Sequence, residues 1–383
     1  MLRILTIIGA RPQFIKASAI SRAIRTNYSN QIHEIIIHTG QHYDKKMSNV
    51  FFEELELPRE KYNLNIGSGS HAEQTAKMMI EIEKIVFKEN PNVILLYGDT
   101  NSTLAACLVG IKIQIPIIHV EAGVRSYNKK FPEEVNRLIC DHMSSLLFVP
   151  SDAGIDSLKK EGITIQSEPK YPINADNPMV FRCGDIMYDN TLFFLDKVEQ
   201  KEKDLYEKYS FDKNDFILAT MHRPSNVDKT NTLKSILTGF NAIIKEHNKS
   251  IILPLHPRTK KNLNQTPELK KLISNNKLHI ISPISFLEML ILEKSADLII
   301  TDSGGVQKEA YFLKKPCLIM LEETPWPELI ESKNALLVGS DSKKIIEGAY
   351  HFFVEKKDLN FAPLYGDGRA SEYICEEMIK ILK

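Results

Sequence analysis

Short runs rich in β-branched residues alternate with amphipathic, helix-like segments along most of the chain. The first five runs lie at 4–8, 34–38, 93–97, 117–120 and 146–149, and six more follow at 216–220, 251–255, 278–281, 298–301, 317–320 and 335–338. Strands that alternate with helices form βαβ units, in which the strands are parallel. The alternation therefore predicts an α/β fold built on parallel sheets.

The alternation pauses once, at 165–178, where Pro and Asn residues interrupt the periodic pattern. The chain has 383 residues, whereas a single hydrophobic core stops growing at roughly 250–300 residues. We therefore predict two Rossmann-like domains, spanning 1–178 and 179–367. Ligands of open parallel sheets bind beyond the carboxyl ends of the strands, so we expect the two domains to face each other across a cleft.

The bulk composition argues against several classes of protein. Lys and Arg together number 49, as do Asp and Glu, so no net charge favours nucleic acid or an anionic membrane. The 5 cysteines are far apart and form no C-x-x-C pair of the kind found in disulfide, redox and zinc motifs. The apolar start at 4–9 is too short for a membrane span and lacks a cleavage site. We expect a cytoplasmic protein with no nucleic-acid or membrane partner.

Charged side chains follow several strands of the first half. Arg11 and Lys16 come after the first run, in a turn that lacks the G-x-G-x-x-G of a dinucleotide site. Two cations there suit a phosphate or an acidic sugar, or are simply solvated. Asp99, Glu121 and Glu133 lie at or near later strand ends, and neighbouring carboxyls raise one another's pKa into the range useful for proton transfer. Helix capping by Asp99 and a dipole contact by Glu133 are the structural alternatives.

The second half contains a Gly-rich turn at 301–305, with the sequence Thr-Asp-Ser-Gly-Gly, between a predicted strand and a predicted helix. Backbone N–H groups in such a turn, together with the helix dipole, can bind a phosphate. Glu309 lies further into that helix, where a carboxylate can accept both hydroxyls of a ribose. His222 and Arg223 follow an earlier strand. A tight turn without a ligand and a structural His remain the alternatives.

In combination, these motifs resemble those of the non-hydrolysing UDP-N-acetylglucosamine 2-epimerases. The matching strings, which occur in the same order, are 9–12 with Lys16, 97–100, 119–123, 132–137, 222–223 and 303–309. They are spread across most of the chain. The resemblance implies the GT-B arrangement, in which the last helix, here 368–383, returns to the N-terminal domain.

The resemblance also implies which residues form the site. The catalytic group is Asp99, Glu121, Glu133 and His222. The substrate- and UDP-binding residues are Arg11, Lys16, Gln74, Asn136, Arg137, Arg223, Ser303, Gly304, Gly305 and Glu309. Proton chemistry is thus expected mostly from the first domain and UDP retention mostly from the second.

Members of this family are understood to eliminate UDP from C1 as the C2 proton leaves, and then to re-add UDP to the resulting glycal. Such a route requires acid–base groups on two faces of C2 and a site that retains the glycal, but no cofactor and no metal. A hydrolysing 2-epimerase and a GT-B glycosyltransferase are the alternative functions. The usual family assembly is a homodimer.

Two residues depart from the family pattern. Trp326 replaces an Arg, and Met289 replaces an aromatic residue that lines the nucleotide site. With the strings at 9–14, 38–42 and 125–128, these departures resemble the branch that acts on UDP-2,3-diacetamido-2,3-dideoxy-glucuronate for surface polysaccharide synthesis. UDP-N-acetylglucosamine is the other candidate substrate, and both departures also suit core residues.

Overall fold

The computed structural model of the protein describes residues 1–41, 52–166, 168–209, 215–356 and 358–383. His42, from the string at 38–42, and Ser167, from the interrupted segment, lie outside these ranges. In the described residues, the named strands form two sheets in which every pairing is parallel. The predicted α/β, GT-B type fold class with two Rossmann-like units is confirmed.

The first sheet has the strand order β3-β2-β1-β4-β5-β6-β7. Its strands are β1 Leu2–Ile8, β2 Ile32–His38, β3 Tyr62–Asn63, β4 Val93–Tyr97, β5 Ile117–Val120, β6 Leu146–Val149 and β7 Met179–Arg182. The accompanying helices are Arg11–Ala23, which continues into a π-helical turn at Ile24–Tyr28, and His71–Glu89, Asn101–Lys112, Pro132–Met143, Asp152–Lys160 and Ala370–Leu382.

The second sheet has the strand order β10-β9-β8-β11-β12-β13. Its strands are β8 Phe216–Thr220, β9 Ser250–Pro254, β10 Leu278–Ile281, β11 Leu298–Thr301, β12 Cys317–Ile319 and β13 Ala335–Leu337. The accompanying helices are Pro224–Val227, Thr230–His247, Pro257–Gln265, Pro267–Leu272, Phe286–Ser295, Gly304–Phe312, Pro327–Glu331 and Ser342–Tyr350, which continues into a π-helical turn at His351–Glu355.

The chain divides into two compact units, Met1–Asn190 with Pro363–Lys383, and Thr191–Ala362. The helix Ile186–Tyr209 contains the first point of division. In the first unit, β7 pairs with β6, and Asp189 accepts hydrogen bonds from the backbone N–H groups that begin the C-terminal helix. The domain limits predicted from the sequence, 1–178 with 368–383 and 179–367, remain a prediction.

The central strands are apolar on both faces because helices cover both sides of a parallel sheet. All residues of β4, β5, β8 and β11 are buried. In the first sheet β4 lies between β1 and β5, so the turns after these three strands are neighbours at its carboxyl edge. In the second sheet β8 pairs with β11, which makes the turns at 221–223 and 302–305 neighbours. These two edges hold most of the predicted site residues.

Candidate active site

Asp99 lies in the turn between β4 and the helix Asn101–Lys112. Its carboxyl Oδ2 is 2.5 Å from Arg137 Nη1, and its backbone carbonyl accepts a hydrogen bond of 2.9 Å from Asn136 Nδ2. The Asp99 side chain remains 28% exposed. The helix Pro132–Met143 therefore fixes both the backbone and the carboxyl of Asp99, while part of the carboxyl stays accessible to a ligand.

Several groups act on the pKa of Asp99. Burial raises it most, Arg137 and Lys16 lower it, and the charges of Glu121 and Glu133 raise it again, with a net upward direction. A carboxyl whose pKa is raised in this way exchanges protons closer to neutral pH than an ordinary aspartate. Three carboxyls and two cations at one edge of the first sheet therefore act on one another electrostatically.

Glu121 follows β5 and has a backbone φ of +72°, a left-handed conformation that is costly for a residue with a side chain. Its Oε1 is 2.6 Å from Lys16 Nζ, and the two side chains are 11% and 10% exposed. The backbone N–H of Glu121 donates to Phe148 O at 3.0 Å. The unusual backbone conformation is thus held from both ends and directs the carboxylate to a cation.

Adjacent glutamates differ sharply at the start of the helix Pro132–Met143. Glu133 is exposed, whereas Glu134 is buried and accepts hydrogen bonds from the backbone N–H groups of Ser126 at 3.0 Å and Tyr127 at 2.8 Å. Burial alone would raise the pKa of Glu134, but these donors and Arg137 outweigh it and lower the pKa. Glu134 is therefore a structural carboxylate that orders a loop, a role that the sequence did not reveal.

Gln13 is a second residue that sequence reasoning passed over. Its Oε1 accepts from the backbone N–H groups of Gly9 at 2.9 Å and Ala10 at 3.1 Å, and its Nε2 donates to Tyr97 O at 3.0 Å. These bonds shape the turn that precedes Arg11 and tie it to the end of β4. The only sequence signal was its place at the end of the Gly-Ala-Arg-Pro-Gln string.

Two other residues that are predicted to bind the UDP-sugar lie in the first unit. Arg11 is the first residue of the helix Arg11–Ala23 and is partly exposed. Gln74 is buried, its Nε2 donates to Gly67 O at 2.7 Å, and its Oε1 accepts from Asn101 Nδ2 at 2.8 Å. The Gln74 amide thus orders a loop within the protein, and its contact with UDP remains a prediction.

In the second unit, Asp302 organises the turn after β8. It is fully buried, and its carboxylate accepts from the backbone N–H groups of His222 and Arg223, each at 3.0 Å. His222 Nδ1 lies 2.9 Å from Asp302 Oδ1, while the His222 side chain is 61% exposed. Burial would raise the pKa of Asp302, but His222 and the backbone donors outweigh it and lower the pKa. The ionised carboxylate orients the imidazole, and most of the His222 side chain stays accessible.

The turn before the helix Gly304–Phe312 begins at Ser303, whose backbone N–H donates to Thr301 Oγ1 at 3.0 Å. Trp326 is 5% exposed, and its indole N–H donates to Gly304 O at 3.1 Å. Lys308 Nζ lies 3.9 Å from the centroid of the Trp326 ring, which is a cation–π contact. Trp326 is therefore both a packed residue and a direct hydrogen-bond partner of the predicted phosphate turn.

The remaining predicted residues of the second unit surround the same turn. An added Cβ on Gly305 would be 3.9 Å from both Glu309 Oε2 and Ser303 Oγ, so these polar atoms flank the glycine. Glu309 is buried. Met289 is partly exposed on the helix Phe286–Ser295.

The structure thus sorts the predicted site residues into two sets, one in each unit. The set in the first unit is Arg11, Lys16, Gln74, Asp99, Glu121, Glu133, Asn136 and Arg137. The set in the second unit is His222, Arg223, Ser303, Gly304, Gly305 and Glu309. Contacts or electrostatic effects connect Asp99 with Lys16, Glu121, Glu133, Asn136 and Arg137. Asp302 and Trp326 were not in the predicted set. Their hydrogen bonds hold the turns of the second unit, Asp302 to the N–H groups of His222 and Arg223 and Trp326 to Gly304 O.

No helix in the described ranges is both long and apolar enough to cross a lipid bilayer. Over the same described residues, no group of three or more His, Cys, Asp or Glu side chains could hold a metal ion. The expectations of a site without metal and of a reaction without cofactor stay predictions.

Comparison with known proteins identifies relatives over the full length of the chain. A family model described as UDP-N-acetylglucosamine 2-epimerase matches residues 24–379. A Methanococcus maripaludis protein named UDP-N-acetylglucosamine 2-epimerase homolog is 45% identical over 375 residues, which cover 98% of this chain and 99% of that protein. The UDP-2,3-diacetamido-2,3-dideoxy-D-glucuronate 2-epimerase of Pseudomonas aeruginosa is 41% identical over 380 residues, covering 99% of this chain and 100% of that protein.

A solved structure shows the same likeness in three dimensions. The UDP-GlcNAc 2-epimerase of Methanocaldococcus jannaschii, crystallised in complex with UDP-GlcNAc and UDP, matches with a TM-score of 0.85 and 42% sequence identity. The match covers 99% of this chain and 100% of that one. The two chains are therefore similar over nearly their whole lengths.

Proposed function

The chain belongs to the UDP-N-acetylglucosamine 2-epimerase family, and from this premise we propose that it inverts C2 of a UDP-activated 2-acetamido sugar without hydrolysing it. The main support is the pairing of carboxyls with cations at the carboxyl edge of the first sheet, where Asp99 meets Arg137 at 2.5 Å and Glu121 meets Lys16 at 2.6 Å. The full-length match to epimerases supports the same reaction.

In the first half of the proposed reaction, a carboxylate takes the proton from C2 while the C1–O bond to UDP breaks. The electron pair of the C2–H bond forms the C1=C2 bond of a glycal, and the pair of the C1–O bond leaves with UDP. This concerted course avoids a carbanion at C2, which has no adjacent carbonyl to stabilise it. In the second half, a proton returns to the opposite face of C2 and UDP re-adds to C1.

The proposed roles follow from the positions of the groups. Carboxyls among Asp99, Glu121 and Glu133 exchange protons at C2, and the raised pKa of Asp99, due first to burial, favours that chemistry. Lys16 and Arg137 limit the charge repulsion between these carboxyls. In the second unit, the turn at 303–305 offers backbone N–H groups to the diphosphate. His222, oriented by Asp302, is proposed to stabilise the departing UDP.

The sugar is proposed to be UDP-2,3-diacetamido-2,3-dideoxy-glucuronate or UDP-N-acetylglucosamine. Trp326 stands where the family has an Arg, and its ring is engaged by Gly304 and Lys308. The guanidinium of Arg125, from the branch string at 125–128, is buried with Asp141 and Glu161 and is thus committed to internal ion pairs. A substrate carboxylate would need another partner.

NMR of the enzyme with each candidate UDP-sugar in deuterated water tests class and substrate together. We expect deuterium at C2 and a C2-epimer that still carries UDP, from one of the two sugars and without an acceptor. Release of UDP with a free mannosamine-type sugar would instead indicate the hydrolysing reaction. Conversion only with an added acceptor would indicate a glycosyltransferase, and binding without deuterium exchange would indicate a sensor.

Alanine variants test the carboxyls directly. Asp99→Ala and Glu133→Ala are each expected to lower kcat by roughly 10²-fold or more, the usual contribution of general acid–base catalysis. Glu81→Ala removes a carboxyl that pairs with Lys84 on the helix His71–Glu89 and is the matched control. If both site variants kept turnover within about tenfold of wild type, the assignment would be wrong.

The family resemblance also implies a homodimer, a cytoplasmic location and a role in surface polysaccharide synthesis. These three remain predictions. Light scattering coupled to size-exclusion chromatography measures the first directly.

A further inference from the structure

His119 lies in β5, between the sequence positions of the predicted catalytic carboxyls, and is fully buried. Its Nδ1 is 2.6 Å from Asp141 Oδ1, and its Nε2 is 2.7 Å from the backbone carbonyl oxygen of Gly98. We propose that His119 is a cationic positioning residue that holds the carboxylate-bearing turns of the epimerase in register. This inference rests on the proposed function and adds a residue to its machinery.

The two partners of His119 determine the state of the ring. A carbonyl oxygen can only accept a hydrogen bond, and so can an ionised carboxylate. A neutral imidazole has only one N–H. Its other nitrogen is itself an acceptor and would face Gly98 O or Asp141 Oδ1 without a hydrogen between them. With a proton on each nitrogen, the ring donates to both Gly98 and Asp141.

Asp141 has the surroundings of an ionised carboxylate. Its Oδ2 accepts from the backbone N–H of Gly123 at 3.0 Å and lies 2.7 Å from Arg125 Nη2. Burial alone would raise the pKa of Asp141, but His119, Arg125 and the Gly123 N–H outweigh it and lower the pKa. Arg125 in turn pairs with Glu161 at 2.7 Å. Positive and negative groups therefore alternate along a buried chain, which is the arrangement that keeps buried charges stable.

One end of this chain controls the turn that carries Asp99. The Gly98 carbonyl accepts from His119, and the Gly98 N–H donates to Val120 O at 3.1 Å. Gly98 has a φ of +62°, so the chain changes direction there and the next residue is Asp99. Both polar groups of this glycine are thus tied to β5, and the direction of the Asp99 side chain depends on those two bonds.

Asp141, the next member of this chain, controls the turn that begins at Glu121. Asp141 belongs to the helix Pro132–Met143 and binds the N–H of Gly123, two residues after Glu121. Gly123 has a φ of +78°, and an added Cβ there would lie 2.5 Å from Gly154 O. The turn therefore packs too closely to shift independently.

The pair of His119 and Asp141 consequently connects three segments, each of which carries one predicted catalytic carboxyl. They are the turn with Asp99, the turn with Glu121 and the helix with Glu133. Misplacing a catalytic group by about 1 Å costs on the order of 10²-fold in rate. Loss of the His119 bonds should therefore appear in kcat, while the UDP-binding turn of the second unit is unaffected.

The test compares two variants with wild type. His119→Phe keeps a ring of similar size and removes both donors, whereas His119→Gln keeps one amide donor. We expect kcat to fall roughly 10²-fold for H119F and less for H119Q, with the Kd for UDP, measured by calorimetry, changed by less than about threefold. Asp189→Asn, which alters another buried carboxylate of the first unit, is the matched control and should leave kcat unchanged.

A kcat for H119F within about threefold of wild type, at whatever melting temperature, would overturn the inference. The second measurement does not depend on the variants being active. Wild-type enzyme with ¹⁵N-labelled histidine should show two ring N–H protons at neutral pH that H119Q removes, and a single ring N–H would also overturn it. Wild-type deuterium exchange at C2 tests the proposed function separately, so the two failures are distinguishable.

Discussion

Arg137 Nη1 lies 2.5 Å from Asp99 Oδ2, while Nη2 of the same guanidinium lies 2.7 Å from Glu134 Oε2. One planar cation therefore links a partly exposed carboxyl to a fully buried one. The buried carboxylate fixes the position of the guanidinium, and the guanidinium in turn holds Asp99 and lowers its pKa against the larger, raising effect of burial.

The first prediction concerns this pair. Arg137 lowers the pKa of Asp99, so Arg137→Met should raise it. The limb of the kcat/KM–pH profile that reports this carboxyl should then move to higher pH, whether Asp99 acts as the base or as the acid. We also expect kcat/KM to fall by roughly 10²-fold through loss of a fixed cation. Arg59→Met, which removes an exposed partner of Glu53, should change neither, and an unshifted profile for R137M would contradict the prediction.

The second prediction separates stability from activity at Glu121. Because φ is +72° there, Glu121→Gly should be more stable than Glu121→Ala by about 1 kcal/mol, although both variants lack the carboxylate and should be inactive. The free energies of unfolding in urea measure the difference. At Glu81, inside the helix His71–Glu89, the order should reverse, with Ala more stable than Gly by about 1 kcal/mol. The same order at both sites would show that the Glu121 backbone is not strained.

The third prediction concerns Trp326. Trp326→Phe keeps an aromatic ring near Lys308 and removes the N–H that donates to Gly304 O. The affinity for UDP should fall roughly threefold to tenfold, which corresponds to one hydrogen bond that positions the turn. Tyr311→Phe, on the helix Gly304–Phe312 that also carries Lys308, removes one bond to a backbone carbonyl, that of Ala362, and should leave UDP affinity unchanged. Equal effects of the two substitutions on calorimetric Kd would rule out a local role for Trp326.

The fourth prediction is a pH dependence of stability. Burial raises the pKa of Asp189 from 3.8 to about 6, against the hydrogen bonds from Ser371 and Ala370. The folded protein therefore binds this proton more tightly than the unfolded chain. The resulting stabilisation is complete below pH 3.8 and is lost as pH rises through about 6.

Urea unfolding of wild type and Asp189→Asn at pH 4.5 and pH 7 measures this pH-dependent stabilisation. The stability of wild type relative to D189N should fall by about 2 kcal/mol between pH 4.5 and pH 7. A difference that stays constant or rises with pH would contradict the sign. Glu268→Gln, an exposed carboxyl whose pKa is lowered by its hydrogen bond to Lys234, is a control expected to show no such fall.

The sequence alone was sufficient for the fold class and the family. The run 93–97 is apolar at every position and the run 117–120 at every position except His119, a local property that indicates buried parallel strands without knowledge of their partners. The order of the strand-end motifs indicated the family, which the full-length comparisons confirm. The catalytic roles of those residues remain predictions.

Tertiary structure decided the contacts between distant residues. The partners Lys16 and Glu121 are 105 positions apart, and Arg137 and Asp99 are 38 apart. Such pairs meet only because β1, β4 and β5 are adjacent in the sheet and one helix covers their ends, and no local pattern encodes that order.

Residues that look alike in the sequence also differ in their tertiary surroundings. Glu133 and Glu134 are indistinguishable by composition, yet one is exposed and the other is buried beneath a loop. In the sequence, His119 is a single histidine in an otherwise apolar strand. Only the tertiary structure shows that its two ring nitrogens contact Gly98 O and Asp141 Oδ1. Local sequence determined which segments form strands and helices, because apolar periodicity and turn chemistry act over a few residues. The packing of those segments decided which polar groups face each other, and that pairing sets the charge, orientation and pKa of the site.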